Sequence, residues 1–206
     1  MGLWACSGLL FLAIAIPSLR DTVQVVDDVA HRWVVIAEWR PLVVAAQILD
    51  FIGTAWVVWP LMIAVAGWLA WVRRWEALSS WILAMFVSQL IIEPLKDLYE
   101  RPRPTMSLAD TSSWSFPSGH SVVGAAIAVS AVIVLIPAGP KRRNLEMAAV
   151  AFAIVMALSR VYLRAHWLSD VAAGAALGAA IAIGAAALMH RIDDRRRGDD
   201  HQSRLQ

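Results

Sequence analysis

The chain has 206 residues, 59% of them hydrophobic and 17% charged, with a mean hydropathy of +0.61; that excludes an ordinary water-soluble domain and points to a single-domain polytopic membrane protein. A formal net charge of +2 does not signal a nucleic-acid partner, because Lys and Arg gather in short clusters between apolar runs, as topology signals do. One cysteine, Cys6, excludes a disulfide framework and a cysteine-based metal site, and it reads as a small hydrophobe.

Residues 3–19 are apolar and about as long as the roughly 20 residues that cross a bilayer. Ala13 and Ala15 resemble a leader cleavage site, but no Lys or Arg precedes the run, which favours a retained span. Residues 20–50 carry charges of both signs, with Val25, Val29, Trp33 and Ile36 at helix-like intervals. They predict either one or two amphipathic helices at the membrane surface or a solvated connection with helical stretches. His31 reads as a surface histidine.

Residues 53–72 predict the second span, with Trp56 and Trp59 at one end and Trp68, Trp71 and Trp75 at the other, at the two headgroup levels that amphipathic rings prefer. Arg73 and Arg74 close it. The third span is residues 77–95, followed by Lys96. Residues 97–119 form a polar loop in which Asp97, Glu100 and Arg101 read as solvated, with local pairing. Residues 121–136 are the fourth span, stopped by Pro137, Gly139 and Pro140. The fifth begins at 145–158 and has to run on through Arg160. The sixth covers residues 168–189, where Gly174 and Gly178 let helices approach closely inside the bundle. Arg195, Arg196 and Arg197 lie in a charged tail expected to be disordered. His190 and His201 read as surface histidines, and Arg164 as touching headgroups or substrate.

The expected architecture is all-α: six transmembrane helices in a bundle, with an amphipathic segment between the first two. The single domain divides into a first span at about 1–20, an interfacial segment at 21–50, a bundle at 53–189 and a tail at 190–206. Six spans put both termini on one side with Arg73, Arg74, residues 141–143 and the Arg195 cluster, which makes that side cytoplasmic. Segments 96–120 and 160–170 then meet at the outer face of the cell membrane.

Those two segments carry the chemistry. KDLYERPRP holds Lys96 and Arg103, PSGH places Ser118, Gly119 and His120 at the start of the fourth span, and SRVYLRAHWLSD holds Arg160, His166 and Asp170. Charge inside so apolar a chain is costly, so it marks pairing or function. Lys96, Arg103 and Arg160 are cations at one membrane face with too few carboxylates to neutralise them, and a multivalent anion is the simplest partner. Guanidinium forks fit phosphate oxygens, and a helix start with Gly119 adds free N–H groups. His166 and Asp170, four apart, share a helical face, so the carboxylate can hold the imidazole by its second nitrogen. His166 is then the candidate nucleophile and His120 the candidate general acid and base. No metal or other cofactor is required by this set. PSGH alone is equally a helix start with a capping serine, and arginines near span ends snorkel; the coincidence of three motifs carries the weight.

Those three stretches together resemble the signature of the type 2 phosphatidic acid phosphatase superfamily, to which the vanadium haloperoxidases also belong. The resemblance covers about residues 53–189 and leaves the segment to Asp50 unmatched. It implies phosphate held by Lys96, Arg103, Ser118, Gly119 and Arg160, with His166 as nucleophile, Asp170 as its orienting partner and His120 as acid and base. It further implies a membrane lipid-phosphate phosphatase, with an undecaprenyl-type diphosphate favoured over phosphatidylglycerophosphate or phosphatidic acid by analogy with bacterial members. A lipid phosphotransferase of the same fold and an anion transporter or channel are the rival readings.

Overall fold

The computed structural model describes residues 2–203, with side chains described through residue 196. The described residues form nine helices and no strand: α1 Gly2–Ala15, α2 Pro17–Ile36, α3 Arg40–Ile52, α4 Ala55–Trp71, α5 Trp75–Leu90, α6 Ile92–Tyr99, α7 Gly119–Leu135, α8 Pro140–Tyr162 and α9 Leu168–Ser203.

The first apolar run does not make one straight span. Ile16 is extended, with φ −91° and ψ 119°, because Pro17 disfavours helical backbone in the residue before it and supplies no N–H. The chain turns by 105° between α1 and α2. The 14 residues of α1 reach about 21 Å, short of a hydrocarbon core of about 30 Å. A second break at residues 53–54 bends α3 against α4 by 51°.

Three helical stretches are long and apolar enough to cross a membrane: Trp75–Tyr99, Pro140–Tyr162 and Leu168–Arg196. Each bent pair taken as one broken span raises the number to five, and α7 is a shorter apolar helix. The chain is therefore a multi-pass helical membrane protein, without six uniform spans. Trp56 and Trp71, at opposite ends of α4, are 86% and 81% exposed, as rings facing lipid headgroups should be.

The centre of the bundle is α5, α7 and α9, with α8 against α7 and α1 against α9. Its core includes Leu69, Trp81, Met85, Val122, Ala126, Leu177 and Ile181. The tightest seam is α7 on α9. A Cβ at Gly178 would stand 2.0 Å from the Val122 carbonyl oxygen and one at Gly174 would stand 2.8 Å from that of Ser118, so both glycines serve packing inside the bundle.

The region expected to be a disordered tail is helical instead, since α9 continues without a break past Met189 to Ser203. Arg197 and His201 fall outside the described side chains, and residues 204–206 outside the described backbone. Residues 20–50 are mostly helical, in α2 and α3.

Candidate active site

Four helix ends meet at one end of the bundle: the last turns of α6 and α8, carrying Lys96 and Arg160, and the first turns of α7 and α9, carrying His120 and Asp170. Loop residues Arg103 and His166 lie between them. Glu100 ends α6 in the left-handed region at φ 41°, and Arg164 turns the chain after α8 at φ 55°. These turns are unfavourable for side chains with a Cβ, and the second sends His166 back over the helix ends.

His166 is 4% exposed. Its Nδ1 lies 2.7 Å from the Ser115 carbonyl oxygen; a carbonyl only accepts, so Nδ1 carries the proton and Nε2 keeps its lone pair. Nε2 faces Arg103 Nη1 at 3.2 Å. Asp170 stands 3.7 Å from Nδ1, beyond hydrogen-bond length, so the direct hold on the imidazole that the sequence assigns to Asp170 belongs to a backbone carbonyl. The carboxylate acts one step away: Asp170 Oδ2 accepts from the Ser115 hydroxyl and from the Trp167 N–H at 2.9 Å, fixing both neighbours of the ring. Burial, with Arg103 and Arg160 nearby, outweighs Asp170 and pushes the His166 pKa down to about 4. The imidazole is neutral at pH 7.

Lys96 and Arg103 converge on Ser113. Lys96 Nζ donates to Ser113 Oγ and to Glu93, each at 2.9 Å. Arg103 donates from Nε to the Ser113 carbonyl at 2.6 Å and from Nη1 to the Ala165 carbonyl at 2.6 Å. Its own pKa is held below the ordinary arginine value, by burial first and by Arg160 second. The two guanidiniums thus feel each other, which joins Arg160 to the same charge cluster.

Arg160 is 2% exposed, and its Nη1 is paired with Asp50. The same carboxylate oxygen lies 3.1 Å from His120 Nε2. Arg160 Nε is buried with no hydrogen-bond partner among the described residues. Ser118 is fully buried and its hydroxyl oxygen accepts from Ser121 at 3.1 Å, which leaves the Ser118 proton to be donated elsewhere. Gly119, Lys96 and His120 line a cavity of about 220 Å³ together with Val58, Trp59 and Gln89. A second cavity, of about 770 Å³, lies at the other end of the same helices and brings together Arg73, Arg74, Arg142 and His190. All eight residues expected at the site therefore lie at one end, and the basic clusters at the opposite one.

Sequence reasoning missed the layer behind them. Arg101, expected in a solvated loop, is 4% exposed. It donates to Asp170 Oδ1 at 2.5 Å, to Ser169 at 2.7 Å, and to Asp27 and Gln24 of α2 at 2.7 Å each. Asp27 in turn accepts from the Ser169 N–H at 2.9 Å, at the start of α9. Asp50 had no sequence signal beyond a carboxylate closing an apolar run. Arg164 is 3% exposed and paired with Glu38 of the segment between α2 and α3 at 2.7 Å. His31 is half-buried and stacks edge-on with Trp167 at 5.7 Å.

The arrangement supplies a neutral, oriented imidazole beside three cations and a second histidine, which is a constellation for phosphoryl transfer. The sequence pattern of the PAP2 superfamily matches residues 77–194. Phosphatidylglycerophosphatase B of Bacillus subtilis is 28% identical over 176 residues, 82% of this chain and 86% of that protein. Decaprenylphosphoryl-5-phosphoribose phosphatase of Mycobacterium tuberculosis is 31% identical over 159 residues, 69% of this chain and 78% of that protein. The crystal structure of a transmembrane PAP2-type phosphatidylglycerolphosphate phosphatase from Bacillus subtilis superposes with a TM-score of 0.79 at 26% identity, over 94% of this chain and 95% of that one. With that pattern on more than half of its length, and a membrane phosphatase's fold over nearly all of it, the chain belongs to the PAP2 superfamily, whose phosphatases are hydrolases of phosphate esters.

Proposed function

We propose that this phosphatase removes phosphate from a membrane lipid through a phosphohistidine on His166, at the outer face of the cell membrane. His166 Nε2 attacks phosphorus in line and the bond to the leaving oxygen breaks, while His120 gives that oxygen a proton. Water then attacks the phosphohistidine, His120 takes its proton, and inorganic phosphate leaves with His166 neutral again. Lys96, Arg103 and Arg160 carry the charge that spreads over the equatorial oxygens, with the Ser118 hydroxyl and the Gly119 backbone N–H as further donors. Asp170 positions His166 through Ser115 and Trp167. The single observation that supports this reading best is the imidazole itself, with Nδ1–H on the Ser115 carbonyl and Nε2 turned to Arg103.

Analogy with bacterial members of the family favours an undecaprenyl-type diphosphate, whereas both relatives are named as phosphatases of other phosphorylated lipids, phosphatidylglycerophosphate and decaprenylphosphoryl-5-phosphoribose. We take a lipid phosphomonoester of the phosphatidylglycerophosphate type as the substrate. Orientation follows from the basic clusters at the end opposite the site, which the positive-inside rule places in the cytoplasm.

Phosphate release by purified protein from phosphatidylglycerophosphate, phosphatidic acid and undecaprenyl diphosphate, with His166→Ala as blank, tests substrate and nucleophile together. Labelled substrate should leave acid-labile phosphate on the wild-type chain and none on His166→Ala. Activity in the variant removes the nucleophile. Label passing to an added alcohol in preference to water would make the enzyme a phosphotransferase. EDTA should not inhibit, because the three cations do the neutralising.

A further inference from the structure

Asp50 occupies a place that the proposed chemistry needs for something else. It lies in the last turn of α3, and one oxygen of its carboxylate meets both Arg160 Nη1 and, at 3.1 Å, His120 Nε2. The Asp50 backbone carbonyl lies 3.2 Å from that same His120 nitrogen. The nitrogen that has to protonate a leaving group and the guanidinium that has to hold phosphate are therefore both turned to one carboxylate. A carboxylate and a phosphate edge present the same pair of oxygens to an arginine fork, so the two compete for one locus.

The pair is asymmetric. Arg160 is 2% exposed on its side chain, whereas Asp50 is 29% exposed. Arg160 also keeps a buried Nε with no hydrogen-bond partner among the described residues, a second donor beside the one that Asp50 takes. Asp50 is the member nearer to water, and it lies three residues before the break at residues 53–54, where α3 bends by 51° against α4. The contact is close enough that a Cβ at Gly53 would stand 2.2 Å from His120 Cδ2.

Resting on the phosphatase reading above, we propose that Asp50 is a specificity-determining residue: its carboxylate stands in for a phosphate oxygen between Arg160 and His120, and substrate enters by displacing it. The physical consequence is a charge filter. A bilayer surrounds the site with phosphodiester headgroups, which bear one negative charge and gain nothing over the carboxylate already there. A phosphomonoester approaches two charges at neutral pH and has three terminal oxygens, so it outcompetes Asp50 where a diester does not.

The test uses the full chain in mixed micelles, with inorganic phosphate and phosphatidylglycerol as inhibitors of monoester hydrolysis. In Asp50→Asn and Asp50→Ser, phosphate should inhibit at about fivefold lower concentration or less, as loss of a partly exposed competing charge near 1 kcal/mol implies, and phosphatidylglycerol should become an inhibitor. Unchanged or weaker inhibition by both overturns the filter. A measurement on the wild-type chain stands apart from the folding of either variant: vanadate should speed hydrogen exchange at residues 49–54 as Asp50 is released. Vanadate inhibition with no such change overturns displacement. If neither phosphate nor vanadate inhibits the wild type at all, the phosphate site itself fails, and the filter with it.

Discussion

Arg101 Nη1 lies 2.5 Å from Asp170 Oδ1, with both side chains out of solvent. Its other terminal nitrogen lies 2.7 Å from Asp27, so one guanidinium neutralises two buried carboxylates from opposite ends of the chain. Removing it strands both, and an orphaned buried charge costs about 3–5 kcal/mol. Arg101→Ala should melt far below the wild type or fail to accumulate. Arg101→Lys offers a point charge that cannot bridge all four acceptors; it should fold and lose kcat while KM holds. Wild-type melting and turnover in Arg101→Ala would refute this role.

Asp27 extends the same network into the part of the chain that no motif covers. It receives Arg101, the Ser169 N–H and the Ser169 hydroxyl, and so caps α9 from α2. Asp27→Ala should cost about 2 kcal/mol or more, a capping loss plus an unpaired cation, and should slow turnover by loosening the turn that presents His166. Asp21→Ala, an exposed neighbour on the same helix, should change neither. Thermal melts and phosphate release on the two variants decide it, and equal behaviour would make α2 a mere anchor.

What the sequence makes legible here follows from how each residue signals. Lys96, Arg103, His120, Arg160 and His166 stand out because charge is rare in an apolar chain and their motifs are local. Arg101 and Asp27 are charged too, but they sit in stretches already rich in charge, where solvation explains them equally well, and Asp50 is a lone carboxylate at the end of an apolar run, where a connecting turn explains it. Their partners lie 68 to 142 positions away, a distance that no periodicity reports. The bend at Pro17 had a local signal, a proline inside an apolar run, which hydropathy overrode. The Ser115 carbonyl had none, because every residue owns one.

Gly178 fixes how near α7 can come to α9, and α7 carries His120. A Cβ there meets the Val122 carbonyl oxygen at 2.0 Å and the Ala126 nitrogen at 3.1 Å, both backbone, which cannot rotate aside. Gly178→Ala should force the helices apart, lowering the melting temperature and the turnover together. Gly67 lies in α4 with nothing within 4 Å of its Cβ position. Gly67→Ala should be neutral or stabilise by up to about 1 kcal/mol through helix propensity. Equal melting temperatures for the two variants would contradict the close seam.

The loop between α8 and α9 keeps His166 neutral by burial, and this has a sign that can be measured. Its pKa falls from the ordinary 6.5 to about 4, so the unfolded chain takes up a proton first as pH drops. Below both values the folded state bears the full penalty of holding this group in a buried site. Above 6.5 it is not penalised, and between those limits stability falls with falling pH, by on the order of 3 kcal/mol in all. His166→Asn should flatten that part of the melting profile. Nitrogen-15 spectra of labelled histidine at pH 6 should show His166 as a neutral ring protonated on Nδ1, as its bond to the Ser115 carbonyl demands. An imidazolium signal for His166 at that pH, or a proton on Nε2, would leave the nitrogen facing Arg103 without a lone pair and take away its capacity to attack phosphorus.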